Sequence, residues 1–240
     1  MSDHRLDARL DHVAIAVPSW EDGERRWKHA LGGGVVAFGR TSAFWSRQLR
    51  FANGAKLELL APPPEDDGNS FVRRFLDRFG AQVHHVTLKV TDLPQALETL
   101  TAAGHEPVDV RMDNAYWHEA FLRPSVVGGL VVQVAWAAQS DDEWARNVGH
   151  DPEPAAAGAI ALRGPLLEHP DLDAARTLWS LLGAEVRQDD GGLVCAWPSS
   201  PLQVHIVAGP AARAVALLAG GTTGLLADPA EGPELRIWEP

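Results

Sequence analysis

The sequence predicts a mixed α+β protein built from copies of one β-α-β-β-β unit. Three observations predict it. First, Leu10–Val17 and Val83–Val90 both alternate as strands do and carry His12 and His85 at matching positions. Second, each is followed, 46 and 48 residues after its histidine, by an apolar strand with one polar interruption, Glu58 or Gln133. The His12–His85 and Glu58–Gln133 offsets, 73 and 75 residues, are those of a duplicated unit. Third, the same order of elements starts again near residue 158, this time without a histidine on its first strand.

The elements follow from local signals. A strand over 10–17 is stopped by Pro18, and Ser19 can cap a helix running to Leu31, which Gly32–Gly34 ends. Strands follow near 35–39, 44–52 and 55–61, with Asn53-Gly54 as a hairpin turn and Pro62–Pro64 as a stop. A linking helix spans Phe71–Phe79. The second unit has a strand over 83–90, a helix from Leu93 to Ala103, and strands near 107–111, 116–123 and 130–136. These two units make a paired domain over 1–137. Residues 138–157 are polar and proline-rich without a period and read as a linker. Residues 158–240 read as a third, degenerate βαβββ-like half-module. Its strands are expected at 158–163, 184–188, 193–198 and 202–208, with helices through Leu182 and over 210–219 and a last strand at 234–238.

Composition narrows the function classes. With 45% hydrophobic and 22% charged residues, the 240-residue chain is an ordinary globular one. A net charge of −11 argues against nucleic-acid and anionic-membrane partners. No apolar run reaches the roughly 20 residues of a bilayer span. The first residues carry no apolar signal region, and Cys195 is the only cysteine, so a cytoplasmic location is expected. There is no nucleophile elbow, phosphate loop or CxxC pair.

Strand alternation puts His12 on a face with Ala14 and Ala16, which leaves room beside it, and His85 on a face with Thr87 and Lys89. A lone carboxylate such as Glu58 in an apolar strand costs several kcal/mol, roughly, unless it is paired. Two imidazoles, one carboxylate and one amide at equivalent places of a duplicated unit point to a single divalent ion held by His12, Glu58, His85 and Gln133. Zinc, cobalt, nickel, manganese or iron suits such donors. Gln133 either ligates or hydrogen-bonds a bound water. Trp117 and Phe121 read as packing residues, which turns His118 and Ala120 toward the cleft and makes His118 a candidate acid or base. Ser46, Gln48 and Arg50 share an alternating face that can meet polar substrate groups, and Arg73, Arg74 and Arg78 form a basic cluster on the linking helix. His84 reads as structural, Cys195 as core, and His205 as a non-ligand for want of a partner histidine.

The stretch Phe71–Gly80 leading into Val83-His84-His85-Val86 resembles the vicinal oxygen chelate (glyoxalase, bleomycin resistance and dioxygenase) superfamily, nearest its methylmalonyl-CoA epimerase branch. Leu10–Val17, Leu57-Glu58-Leu59-Leu60-Ala61-Pro62 and Gly128–Val134 match the same pattern, so the resemblance covers about residues 8–136. It implies paired βαβββ modules forming a cleft around one divalent metal, with the same four ligands carried over by position. In that branch the place of Gln133 is usually a glutamate, which serves as ligand and base, and a second catalytic glutamate falls near Thr41-Ser42. This chain has a carboxylate at neither place and carries Glu58 instead.

The resulting expectation is a metal-dependent enzyme on a small oxygen-chelating substrate, an isomerase, epimerase or lyase working through a metal-stabilised enolate, with Glu58 or His118 moving the proton. Two alternatives stand beside it: a non-haem iron oxygenase using the two histidines and the carboxylate, and a metal-free small-molecule binding or resistance protein. The third module would dock on the first two or pair with its counterpart in a homodimer.

Overall fold

The computed structural model describes residues 5–66, 68–147, 149–189, 191–220 and 232–237. The first module contains β1 (Ala8–Ala16), α1 (Trp20–Glu24), β2 (Gly34–Arg40), β3 (Trp45–Arg50) and β4 (Lys56–Ala61), and α2 (Phe71–Phe79) leads on from it. The second contains β5 (Val83–Val90), α3 (Leu93–Ala102), β6 (Val108–Arg111), β7 (Trp117–Leu122), a short α4 (Pro124–Val127) and β8 (Val131–Ala137). After α5 (Asp141–Asn147), the order repeats as β9 (Ala161–His169), α6 (Leu172–Leu181), β10 (Glu185–Asp189), β11 (Gly192–Ala196) and β12 (Gln203–Ala208). The described strands end with β13 (Arg213–Gly220) and β14 (Leu235–Ile237).

One eight-stranded sheet runs in the order β2-β3-β4-β1-β5-β8-β7-β6, and a six-stranded sheet runs β10-β11-β12-β9-β13-β14. Each module closes on itself in the same way: its last strand pairs parallel with its first, while its middle strands make antiparallel hairpins. The chain is thus of the expected α+β class with repeated βαβββ order. In the second sheet, β12-β9-β13-β14 repeats the order β4-β1-β5-β8, and β13 and β14 are parallel as β5 and β8 are.

The chain divides into two compact units, one of residues 1–11, 85–138 and 164–215, the other of 12–84, 139–163 and 216–240. Four of the five divisions fall between consecutive residues inside β1, β5, β9 and β13, and the fifth lies between β8 and α5. Within the second of these units, Trp27, Leu49, Leu57, Leu59, Val13 and Ile15 are fully buried and form the core under α1. Ser19 caps α1 by accepting from the Asp22 N–H, as expected, but Arg25–Ala30 continues as a π-helical turn. Within the other, Val86, Leu88, Val132, Val134, Ala120 and Leu122 are buried, with Leu93, Ala96 and Leu100 of α3.

Two expectations need correction. The stretch expected as a helix over 210–219 carries strand β13 (Arg213–Gly220) instead: Ala216–Ala219 are buried in succession, and such an apolar run fits a strand covered on both faces as well as it fits a helix. Residues 138–157 are not an unpatterned connector. They carry α5, whose Asp141 and Asp142 pair with Lys56 and Arg50, and Glu153 binds Lys28 and the Val35 N–H. Pairing with charges distant in sequence leaves no local period to read. No helix among the described residues is long and apolar enough to cross a membrane.

Candidate metal centre

Register decides where the polar side chains emerge. Ala14 of β1 opposes Glu58 of β4, and His12 lies two residues before Ala14. Opposed residues share a face, as do residues two apart, so His12 and Glu58 project together. Thr87 of β5 opposes Gln133 of β8, and His85 lies two residues before Thr87. Glu58 and Gln133 therefore hold the same position in two copies of the module.

Among the described residues, one group of side chains is arranged to hold a metal ion: a donor atom from each of His12, Glu58 and His85 lies within 4.8 Å of the other two. His12 Nε2 is 3.4 Å from Glu58 Oε2. Both histidines are buried and Glu58 is half-buried. Two imidazoles and a carboxylate drawn together in this way fit a first-row divalent ion.

Gln133 is fixed at both ends of its amide. Its Oε1 accepts from the Thr87 hydroxyl at 2.6 Å, and its Nε2 donates to Glu119 Oε2 at 2.7 Å. Glu119 also accepts from the indole N–H of Trp117 at 2.9 Å and from Arg111 at 3.3 Å. Sequence reasoning missed Glu119 because it placed the neighbouring His118 on this face. In the structure, Phe121 opposes Gln133 and Glu119 opposes Ala135, so Glu119 shares the face of Gln133. His118 opposes Trp136 on the other face, with ring centroids 4.8 Å apart. The cause is visible in Trp117: its indole N–H serves the polar network, so its bulk did not mark the packing face.

Lys89 lies on the His85 face, 3.5 Å from the buried Asp11 carboxylate and 5.5 Å from the Trp117 ring. In the first module, register puts Ser46, Gln48 and Arg50 on the Glu58 face, as expected, although Arg50 is held by Asp142. The room beside Ala14 and Ala16 is filled by α2, whose Val72 packs with Leu60 and whose Phe71, Phe75 and Leu76 flank them. His84 lies against Phe71 and Phe75, at 5.4 and 4.8 Å between ring centroids. Burial lowers its pKa to about 4, against an opposing pull from the Glu58 charge. Thr41 and Ser42 sit between β2 and β3, at a cleft of about 570 Å³ also lined by Trp45, Phe71 and Arg74. The basic residues of α2 have local contacts: Arg73 with Asp66, Arg74 with the Asn69 carbonyl, and Arg78 with the Phe79 ring.

Among the described residues, the β9–β12 repeat shows no such group of donors, for a backbone reason. Leu166 opposes His205 as Ala14 opposes Glu58, so the place of His12 falls on Gly164. There φ is +130°, and a Cβ would lie 2.0 Å from the Gln203 carbonyl oxygen. No side chain fits, and so none can serve as a ligand beside His205. The strand itself begins at Ala161, later than the expected 158–163.

Residues 10–183 match the glyoxalase-like domain family, and the chain belongs to it. This bears out the resemblance to the vicinal oxygen chelate superfamily on its epimerase side. The chain is 27% identical over 135 residues to the mitochondrial methylmalonyl-CoA epimerase of Dictyostelium discoideum, covering 52% of this chain and 76% of that protein. It is 28% identical over 132 residues to the uncharacterised protein YqjC of Bacillus subtilis (strain 168), covering 52% and 90%. A hypothetical protein from Staphylococcus aureus shares the fold along 96% of this chain and 99% of its own, with a TM-score of 0.64 at 10% identity. Fold and family together define an enzyme or binding protein of the vicinal oxygen chelate type.

Proposed function

We propose that the chain is a divalent-metal-dependent enzyme that moves a proton beside a carbonyl of a small, oxygen-chelating substrate, as an isomerase, epimerase or lyase. The convergence of His12, Glu58 and His85 donor atoms carries this reading. His12 and His85 would hold the ion through imidazole nitrogens, Glu58 through its carboxylate and Gln133 through its amide oxygen. A divalent ion held there supplies a Lewis acid for substrate oxygens. Glu58 is the carboxylate grouped with the two histidines and would serve as the base when it is not engaged as a ligand. His118 has no part in this scheme, because it packs on Trp136 on the other face. The epimerase relative supports isomerase chemistry in general. The missing carboxylate at Thr41-Ser42 argues that protons are handled differently here.

A second reading is favoured by the donor set itself. Two histidines and one carboxylate also make the facial triad of non-haem iron oxygenases. Tightly bound iron with oxygen-dependent turnover would select it.

The test is metal content after mild purification of the native protein and of His12→Ala and His85→Ala. It is paired with exchange of substrate protons into D₂O for a panel of carbonyl compounds headed by methylmalonyl-CoA. The expected result is about one ion per native chain, a loss in both variants, and metal-dependent exchange. Native protein without stoichiometric metal would sink the proposal.

A further inference from the structure

We infer that Glu119 is a positioning residue for the metal centre, acting through Gln133. A glutamine beside a metal can turn either end of its amide toward the ion, and only the carbonyl oxygen can ligate. One group here distinguishes the ends, and a second adapts to the choice, since a hydroxyl can donate or accept. The Glu119 carboxylate offers only acceptors, so it takes the NH₂ end, at 2.7 Å. The Thr87 hydroxyl meets Oε1 at 2.6 Å, two residues along β5 from His85 and on the same face. One lone pair of Oε1 remains available beside the histidine strand. Glu119 is itself held in place by Trp117 and Arg111. Its side chain is 15% exposed, so these bonds are largely shielded from competing water.

The arrangement explains how an amide can stand where the opposite module has a carboxylate. Glu58 presents an oxygen whichever way it turns, so it needs no orienting partner. Gln133 does need one. By register, Glu119 corresponds to Ser46 of the first module, because Glu119 opposes Ala135 as Ser46 opposes Leu60. The module with the amide has a carboxylate at that place, and the module with the carboxylate has a serine.

The inference rests on the reading of the site as a metal centre, and the experiment separates the two. Metal-free full-length protein is titrated with Co²⁺, recording the dissociation constant and the visible d–d spectrum for native protein, Glu119→Gln, Gln133→Ala, the double variant and Thr87→Val. Glu119→Gln offers the amide a partner that can donate or accept, which removes the discrimination without changing side-chain size. It is expected to weaken Co²⁺ binding about 10- to 100-fold and to shift the spectrum toward that of Gln133→Ala. The double variant should be no weaker than Gln133→Ala alone, since both changes act on one ligand. Thr87→Val, which keeps the strand's shape, should give a smaller loss in the same direction. Native-like affinity and spectrum in a folded Glu119→Gln protein, or additive losses in the double variant, would overturn the role of Glu119 while leaving the metal centre standing. Absence of Co²⁺ binding by the native protein would overturn both.

Discussion

Glu58 and Gln133 occupy one register position in two copies of the same module: each opposes the residue two places beyond a histidine, Ala14 after His12 and Thr87 after His85. The two modules therefore offer the same register position with different charge, a carboxylate in the first and an amide in the second. Exchanging the two should preserve the donor set. Glu58→Gln alone is expected to lower divalent-metal affinity at least about tenfold, or about 1.4 kcal/mol. Glu58→Gln combined with Gln133→Glu should recover most of it. Calorimetric titration of metal-free protein checks this, and a double variant no better than the single one would show that the two places are not equivalent.

His84 makes stability depend on acid. In the folded chain its pKa is lowered to about 4, chiefly by burial, whereas an unfolded histidine titrates near 6.5. Between those values the unfolded chain binds more protons, so stability falls as pH drops from about 6.5 toward 4. The loss is roughly 3 kcal/mol at most. Above 6.5 the contribution is fully present. Urea unfolding at pH 7.5 and 4.5 should show a smaller difference for His84→Leu than for the native chain.

Cys195 should be chemically silent in the folded state. It is fully buried, and burial pushes its thiol pKa up to about 12, so almost no thiolate exists at pH 8. A chromogenic disulfide reagent should find one thiol per chain in concentrated guanidinium and almost none in native buffer. Rapid labelling of the native protein would contradict its placement.

Gly164 should tolerate no substitution. An alanine there combines a positive φ with a Cβ 2.0 Å from the Gln203 carbonyl oxygen, so the β9–β12 pairing must distort. Gly164→Ala is expected to cost about 2–4 kcal/mol, in the range of strain at special backbone positions. Gly164→His should fail to create a second metal site beside His205. Thermal denaturation and metal content measure the two effects.

The sequence by itself determined the module order, the helix start at Ser19 and which residues share a face within each strand. These depend on local physics: period-two alternation, capping side chains and glycine stops act within a few residues, and duplication repeats them at a readable offset. Only the tertiary structure decided what depends on a partner strand. The phase of β7 was set by its register against β8, which turned Glu119 toward Gln133 and His118 toward Trp136. β13 became a strand because β14 pairs with it and both its faces are covered. Residues 138–157 acquired structure from Lys56, Arg50 and Lys28, charges far back in the chain. Alternation within a strand is local, but which of its two faces meets the site is fixed only when the neighbouring strand docks.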